Sequence, residues 1–138
     1  MFEYLRKVNY YETDKMGITH HSNYIRWMEE ARMAFMQSLG YGYALCEQQG
    51  YICPVLSVAC QYKTTTTFDD TVKISVTVKE YNGVRTKFGY TMTNVFDGKT
   101  VFVGETEHCF LDKNHRPVVP KKTMPDLDSI FKTLLQTN

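Results

Sequence analysis

Three β-favouring stretches joined by two glycine turns constrain this chain more than any other feature. Val72, Ile74, Val76 and Val78 alternate with Lys73, Ser75, Thr77 and Lys79. That period of two marks a strand with one buried face. Asn82-Gly83 follows, then a stretch over 84–96, then Asp97-Gly98 and a stretch over 99–111. Both dipeptides tolerate the positive φ that tight hairpins demand. Three long strands tied this closely must lie side by side as an antiparallel meander. Their apolar face then needs another element to cover it.

The rest of the chain supplies that cover. Residues 2–11 are rich in aromatics and alternate loosely, which predicts a first strand. Residues 23–39 predict a long helix. Its apolar face is Tyr24, Trp27, Met28, Ala31, Phe35 and Leu39, while Arg26, Glu29, Glu30, Arg32 and Gln37 mostly face elsewhere. Ser22 or Asn23 suits its start and Gly40 its end. A short helix over 43–49 and a second, largely buried strand over 51–63 come next, with Pro54 near that strand's beginning. Leu127, Ile130, Phe131, Leu134 and Leu135 give a terminal helix that starts at Pro125 and Asp126. The prediction is an α+β fold: about five antiparallel strands wrapped around one long helix, in a single domain spanning 1–138.

Charge and cysteine usage narrow the functional classes. Sixteen basic against fifteen acidic residues give a formal net charge of +1, so no bulk basic field points to nucleic acid. No apolar run approaches the ~20 residues of a membrane span. The N-terminus carries Glu3, Arg6 and Lys7 instead of a signal-peptide apolar region. A cytoplasmic location is the expectation, with no membrane partner. Cys46, Cys53, Cys60 and Cys109 lack zinc-type spacing and read as reduced, mostly buried thiols. His108 and His115 have no partner pattern and read as structural or surface residues.

Between the first strand and the long helix lies Tyr10-Tyr11-Glu12-Thr13-Asp14-Lys15-Met16-Gly17-Ile18-Thr19-His20-His21-Ser22-Asn23-Tyr24. A carboxylate, a glycine, a histidine pair and a helix start crowd into this stretch. A helix start offers unbonded N–H groups and partial positive charge. A carboxylate facing those donors suits attack on a carbonyl whose developing oxyanion the donors hold. His20 with Asp14 invites a metal reading, but adjacent histidine side chains diverge, so no metal is expected.

The order of elements, the motif Glu12-Thr13-Asp14-x-x-Gly17-x-x-x-His21-x-x-Tyr24, and Glu29-x-Ala31-Arg32 together resemble the 4-hydroxybenzoyl-CoA thioesterase-like family of hotdog-fold enzymes. The likeness continues through Tyr62 and Phe68-Asp69-Asp70 and covers nearly the whole chain. One departure stands out. The family often has proline three residues after the tyrosine matching Tyr62. Here that position is Thr65, within Thr64-Thr65-Thr66-Thr67, which predicts a more mobile loop.

The resemblance implies an acyl-CoA thioesterase that needs no cofactor beyond the CoA of its substrate. It implies Asp14 as nucleophile or as general base for water. It places the His21 backbone N–H as oxyanion donor, with its side chain orienting Asp14 or the thioester. Gly17 fits a sharp bend or a close approach to ligand, or a plain turn. Tyr24 lines the acyl pocket or fills the core. Ser57 and Val58 pass near the site. Arg85 and Lys87 share a strand side and either contact the CoA phosphates or belong to a solvated face. Glu12 is expected in a salt bridge, and Glu29 with Arg32 in an i, i+3 pair that also allows Glu29 an interface role. Hotdog subunits pair sheet edges, so a homodimer or homotetramer is expected, with the site between chains. The competing readings are an acyl-acyl carrier protein thioesterase, a non-catalytic acyl-CoA-binding protein and a hotdog dehydratase, whose motif is missing here.

Overall fold

The computed structural model describes residues 2–137. Its elements are β1 (Phe2–Lys7), α1 (Ser22–Ser38), α2 (Tyr43–Gln48), β2 (Val55–Tyr62), β3 (Thr71–Tyr81), β4 (Thr86–Asn94), β5 (Thr100–His108), α3 (Pro120–Thr123) and α4 (Pro125–Thr137). Five strands form one antiparallel sheet in the order β1-β3-β4-β5-β2. The meander is present, with Gly83 at φ +92° and Gly98 at φ +73° in its two turns.

One face of the sheet is the core. Val72, Ile74, Val76 and Val78 of β3 project there with Phe88, Tyr90 and Met92 of β4. Helix α1 covers them with Tyr24, Trp27, Met28, Ala31 and Phe35, and α4 adds Leu127 and Phe131. Phe88 is clasped between the two helices, its ring meeting Phe35 and Phe131 each at a centroid distance of 6.0 Å. Gly104 of β5 is required where α1 crosses: an added Cβ lies 2.7 Å from Met28 Sδ.

Several expectations differ from the structure, the strands predicted over 84–96 and 99–111 being the shorter β4 and β5. The first strand ends at Lys7 rather than at residue 11. Tyr10–Glu12 turns into a single 3-10 turn, because Asn9 N–H donates to the Glu12 carboxylate and pulls the chain inward. The second strand begins at Val55 and is exposed along nearly its whole length, with Val58 at 41% and Tyr62 at 49%. It is an edge strand, hydrogen-bonded on one side to β5. Only Cys60 and Tyr62 of this strand reach the core of their own chain. The threonine loop is docked rather than loose. Thr66 is fully buried, and Thr67 N–H donates to Asp70 Oδ2 at 2.9 Å.

Candidate active site

Asp14 opens a tight turn. Met16 N–H donates to Asp14 Oδ1 at 2.8 Å, Gly17 N–H donates to Asp14 O at 3.0 Å, and Gly17 adopts φ +79°. A Cβ at Gly17 would meet nothing within 4 Å, so backbone conformation, not crowding, calls for glycine. Asp14 N–H donates to Ile18 O, and Thr13 and Thr19 form an antiparallel bridge. The segment is thus a small hairpin carrying Asp14 at its tip end, half-buried.

Two anchors hold this hairpin. The first is Glu12, which accepts from Asn9 N–H and from Arg6 Nη1 and Nη2, each at 2.9 Å, and from Trp27 Nε1 at 3.0 Å. Burial pushes its carboxyl pKa up, but the Asn9, Trp27 and Arg6 donors outweigh it and hold the group below the ordinary value. Glu12 is therefore the structural salt bridge the sequence implied, and its side chain turns away from Asp14's turn toward Trp27. Its backbone carbonyl accepts from His20 N–H and from Asn23 Nδ2. The second anchor is Thr66. Its carbonyl accepts from Thr19 N–H at 2.8 Å, and its hydroxyl bonds both the Thr19 hydroxyl (2.6 Å) and the Tyr24 hydroxyl (2.9 Å). A run of four threonines gives no sequence signal for which one is buried, and nothing local marks Thr19 as its partner.

His21 stands at the start of α1 with an exposed side chain that caps nothing. Its ring stacks near His20 at 4.3 Å and meets Tyr62 edge-on. His20 takes up the next two amides: its Nδ1 accepts from Ser22 N–H and its carbonyl from Asn23 N–H. The His21 amide has no acceptor among the described residues. Tyr24 is buried, stacks on Phe102, and with His21, Tyr62 and Thr65 lines a shallow cavity of about 190 Å³.

A larger cavity, about 440 Å³, lies further along α1. Arg32, Met33 and Met36 form one wall and Tyr51, Cys53 and Phe110 the other, with Val55 of β2 at its rim. Asp14 lines neither cavity. Ser57 and Val58 are exposed on the edge strand, opposite Glu107 and Thr106 of β5.

Arg85 and Lys87 lie at the opposite end of the sheet from Tyr62. Tyr62 pairs with Phe102 and Phe102 with Met92, whereas Lys87 pairs with Glu107, five residues back along β4. At ~3.3 Å per residue that is roughly 17 Å. Lys87 is on the face away from the core and bonds Glu80 at 3.3 Å, while Arg85 reaches Glu107 at 3.5 Å. Within one chain these cations are not brought together with Asp14.

The expected Glu29–Arg32 salt bridge is absent: no ion pair within 4.0 Å joins them. Arg32 lies instead near Tyr90, Cys53 and His108 and acts on them through its charge. A directed chain follows. Tyr90 O–H donates to Thr106 Oγ1 at 2.7 Å, the Thr106 hydroxyl donates to His108 Nε2 at 2.7 Å, and His108 Nδ1–H donates to Pro54 O at 3.2 Å. That chain assigns the tautomer of a neutral imidazole. Burial and the Arg32 charge lower the His108 pKa to about 4. Burial likewise pushes the Cys53 thiol up to about 12, which leaves it unreactive. No disulfide forms among the described residues, and no cluster of three His, Cys, Asp or Glu side chains suits a metal ion. No described helix is long and apolar enough to cross a membrane.

Comparison with known proteins shows the family and the fold. The family model of the thioesterase-like superfamily matches residues 8–129. A Bacillus subtilis protein named "Putative acyl-CoA thioesterase YneP" is 30% identical over 126 residues, covering 91% of each chain. The solved structure of a DHNA-CoA thioesterase from Staphylococcus aureus superposes with a TM-score of 0.93 at 30% identity, covering 99% of this chain and 91% of that one. At 21% identity, a gentisyl-coenzyme A thioesterase shares the fold with a TM-score of 0.81 over 90% of this chain and 99% of that one. The chain therefore belongs to the thioesterase-like superfamily and has the hotdog fold.

Proposed function

We propose that the protein hydrolyses acyl-CoA thioesters to a free acid and CoA, with Asp14 as general base and the His21 amide as oxyanion donor. The observation that carries this reading is the Asp14 turn itself. A half-buried carboxylate is fixed seven residues before a helix-start amide that has no acceptor of its own. Asp14 Oδ1 is occupied by Met16 N–H, so Oδ2 takes the proton from water. The water oxygen attacks the carbonyl carbon, the oxyanion forms against the His21 N–H, and the CoA thiolate leaves.

A second chain completes the site. β2 is an exposed apolar edge, a liability that pairing removes. Antiparallel self-pairing of Val55–Tyr62 about a two-fold axis sets Tyr62 of one chain against Val55 of the other. Tyr62 contacts His21, and Val55 rims the 440 Å³ cavity. One chain's Asp14 turn thus faces the other chain's cavity, which receives the acyl group. Ser57 and Val58 lie within that seam. Arg85 and Lys87 contribute to CoA binding only across chains, since within one chain they are remote.

The test is thiol release from a panel of acyl-CoAs by wild type and Asp14→Asn, followed by a single turnover in ¹⁸O-labelled water. Hydrolysis that falls ~10²–10⁴-fold in the variant supports the assignment. Label in the acid and none in Asp14 supports the general-base route, and label in Asp14 overturns it. Activity on pantetheine-loaded carrier protein alone moves the substrate to that class. Binding of acyl-CoA without turnover removes the enzymatic reading.

A further inference from the structure

Arg32 has no part in the hydrolytic step, yet it stands in the wall of the large cavity. It is half-buried, and no carboxylate pairs with it within 4.0 Å among the described residues. Glu29, one turn earlier, is exposed at the same cavity and stays in water. The groups around the guanidinium are neutral and already committed. Tyr90 donates onward to Thr106, His108 is bonded on both ring nitrogens, and Cys53 is a protonated thiol. The guanidinium offers five N–H donors, and its charge lies close to Tyr90. The rest of the lining is mostly apolar, with Met33, Met36, Ile52 and Phe110 beside the tyrosines at 41, 43 and 51.

A half-desolvated guanidinium without a counter-ion, set in apolar walls, is a receptor for a planar anion. Pairing is stronger there than in water because the local dielectric is low. The directed chain from Tyr90 to Pro54 O occupies the polar groups beside Arg32, and Arg32 itself lines the cavity. We propose that Arg32 is a specificity-determining residue that receives a carboxylate at the end of the acyl group remote from the thioester. The preferred substrates are then CoA thioesters of short dicarboxylic acids. This rests on the large cavity being the acyl pocket.

The experiment compares matched pairs: succinyl- with butyryl-CoA, glutaryl- with valeryl-CoA, and adipyl- with hexanoyl-CoA. The ratio of kcat/KM within each pair is measured for wild type, Arg32→Gln and Arg32→Lys. Wild type is expected to favour at least one diacid by more than tenfold. Arg32→Gln should collapse that ratio at least tenfold, chiefly through KM, and Arg32→Lys should restore part of it. A wild-type ratio near one in all pairs, or a ratio that Arg32→Gln leaves intact, overturns the proposal. A preference confined to 4-hydroxybenzoyl- over benzoyl-CoA also overturns it, since Arg32 then reads a hydroxyl. Calorimetric binding of glutarate against valerate to the wild-type protein needs no turnover and no variant. Tighter glutarate binding supports the proposal even if Arg32→Gln fails to fold, and equal binding contradicts it. Absence of hydrolysis of every acyl-CoA, with glutarate still bound selectively, contradicts the proposed function and leaves the anion site standing.

Discussion

Replacing Glu12 by glutamine puts the architecture of the Asp14 turn to a quantitative test. Glu12 is 4% exposed and accepts four donors, two on each oxygen. The amide keeps one acceptor oxygen and turns the other into an NH₂ group facing two donors. Those are Asn9 N–H with Arg6 Nη1, or Arg6 Nη2 with Trp27 Nε1, depending on the rotamer. Each buried donor left without an acceptor costs about 1–3 kcal/mol. Arg6 keeps Glu30 at 2.9 Å, which limits the loss. The total is about 3–4 kcal/mol, in the range for breaking a buried ion pair from one side. For a chain of this size that lowers the melting temperature by roughly 10–15 °C. Urea denaturation of both proteins at one fixed concentration measures it.

The pH dependence carries a second check. The folded-state pKa of Glu12 is depressed, so its contribution is fully present above the unfolded carboxylate value of about 4.3 and is lost as pH falls through the lower folded value. The stability gap between wild type and Glu12→Gln must narrow as pH drops from 7 to below 4. A gap under about 1 kcal/mol at pH 7, or one that is flat with pH, refutes the reasoning.

Thr66→Val removes the buried hydroxyl shared by Thr19 and Tyr24. It should cost about 1–3 kcal/mol by urea melt and reduce kcat more than binding, because it loosens the Asp14 hairpin. Val58→Lys places a charge on the exposed β2 edge; under the proposed edge pairing, wild type is expected to be dimeric or larger in light scattering and the variant monomeric, with loss of thiol release. His108 is held neutral, its pKa lowered to about 4 by burial and Arg32. The unfolded chain takes up its proton first, so stability is lost as pH falls from about 6.5 toward 4. His108→Gln should flatten that part of the wild-type stability profile.

The meander, the long helix and its apolar face were legible because period-two and helical patterns and two glycine turns each specify their own geometry. The Asp14 turn was legible as a motif. What escaped was set by partners distant in sequence. Residues 8–11 look strand-like, yet Arg6 and Trp27 draw the adjoining Glu12 inward. Val55 to Tyr62 is apolar enough for a core strand, but only sheet order reveals it as an edge. Arg32 follows Glu29 at salt-bridge spacing, and only the packing of β4 and β5 beneath α1 turns it toward Tyr90. Thr66 is indistinguishable from its three neighbours until the loop folds against Thr19.

Whether the active site is built from two chains can be read in one mixing experiment. Asp14→Asn and Met33→Trp, which fills the cavity wall, are each assayed for thiol release alone, then after joint refolding. Each is expected to be inactive by itself. If one chain's Asp14 serves the other chain's cavity, half of the mixed dimers' sites combine an intact carboxylate with an open cavity, and about a quarter of wild-type activity returns. If Asp14 serves the cavity of its own chain, every site in every mixture carries one defect, and no activity returns.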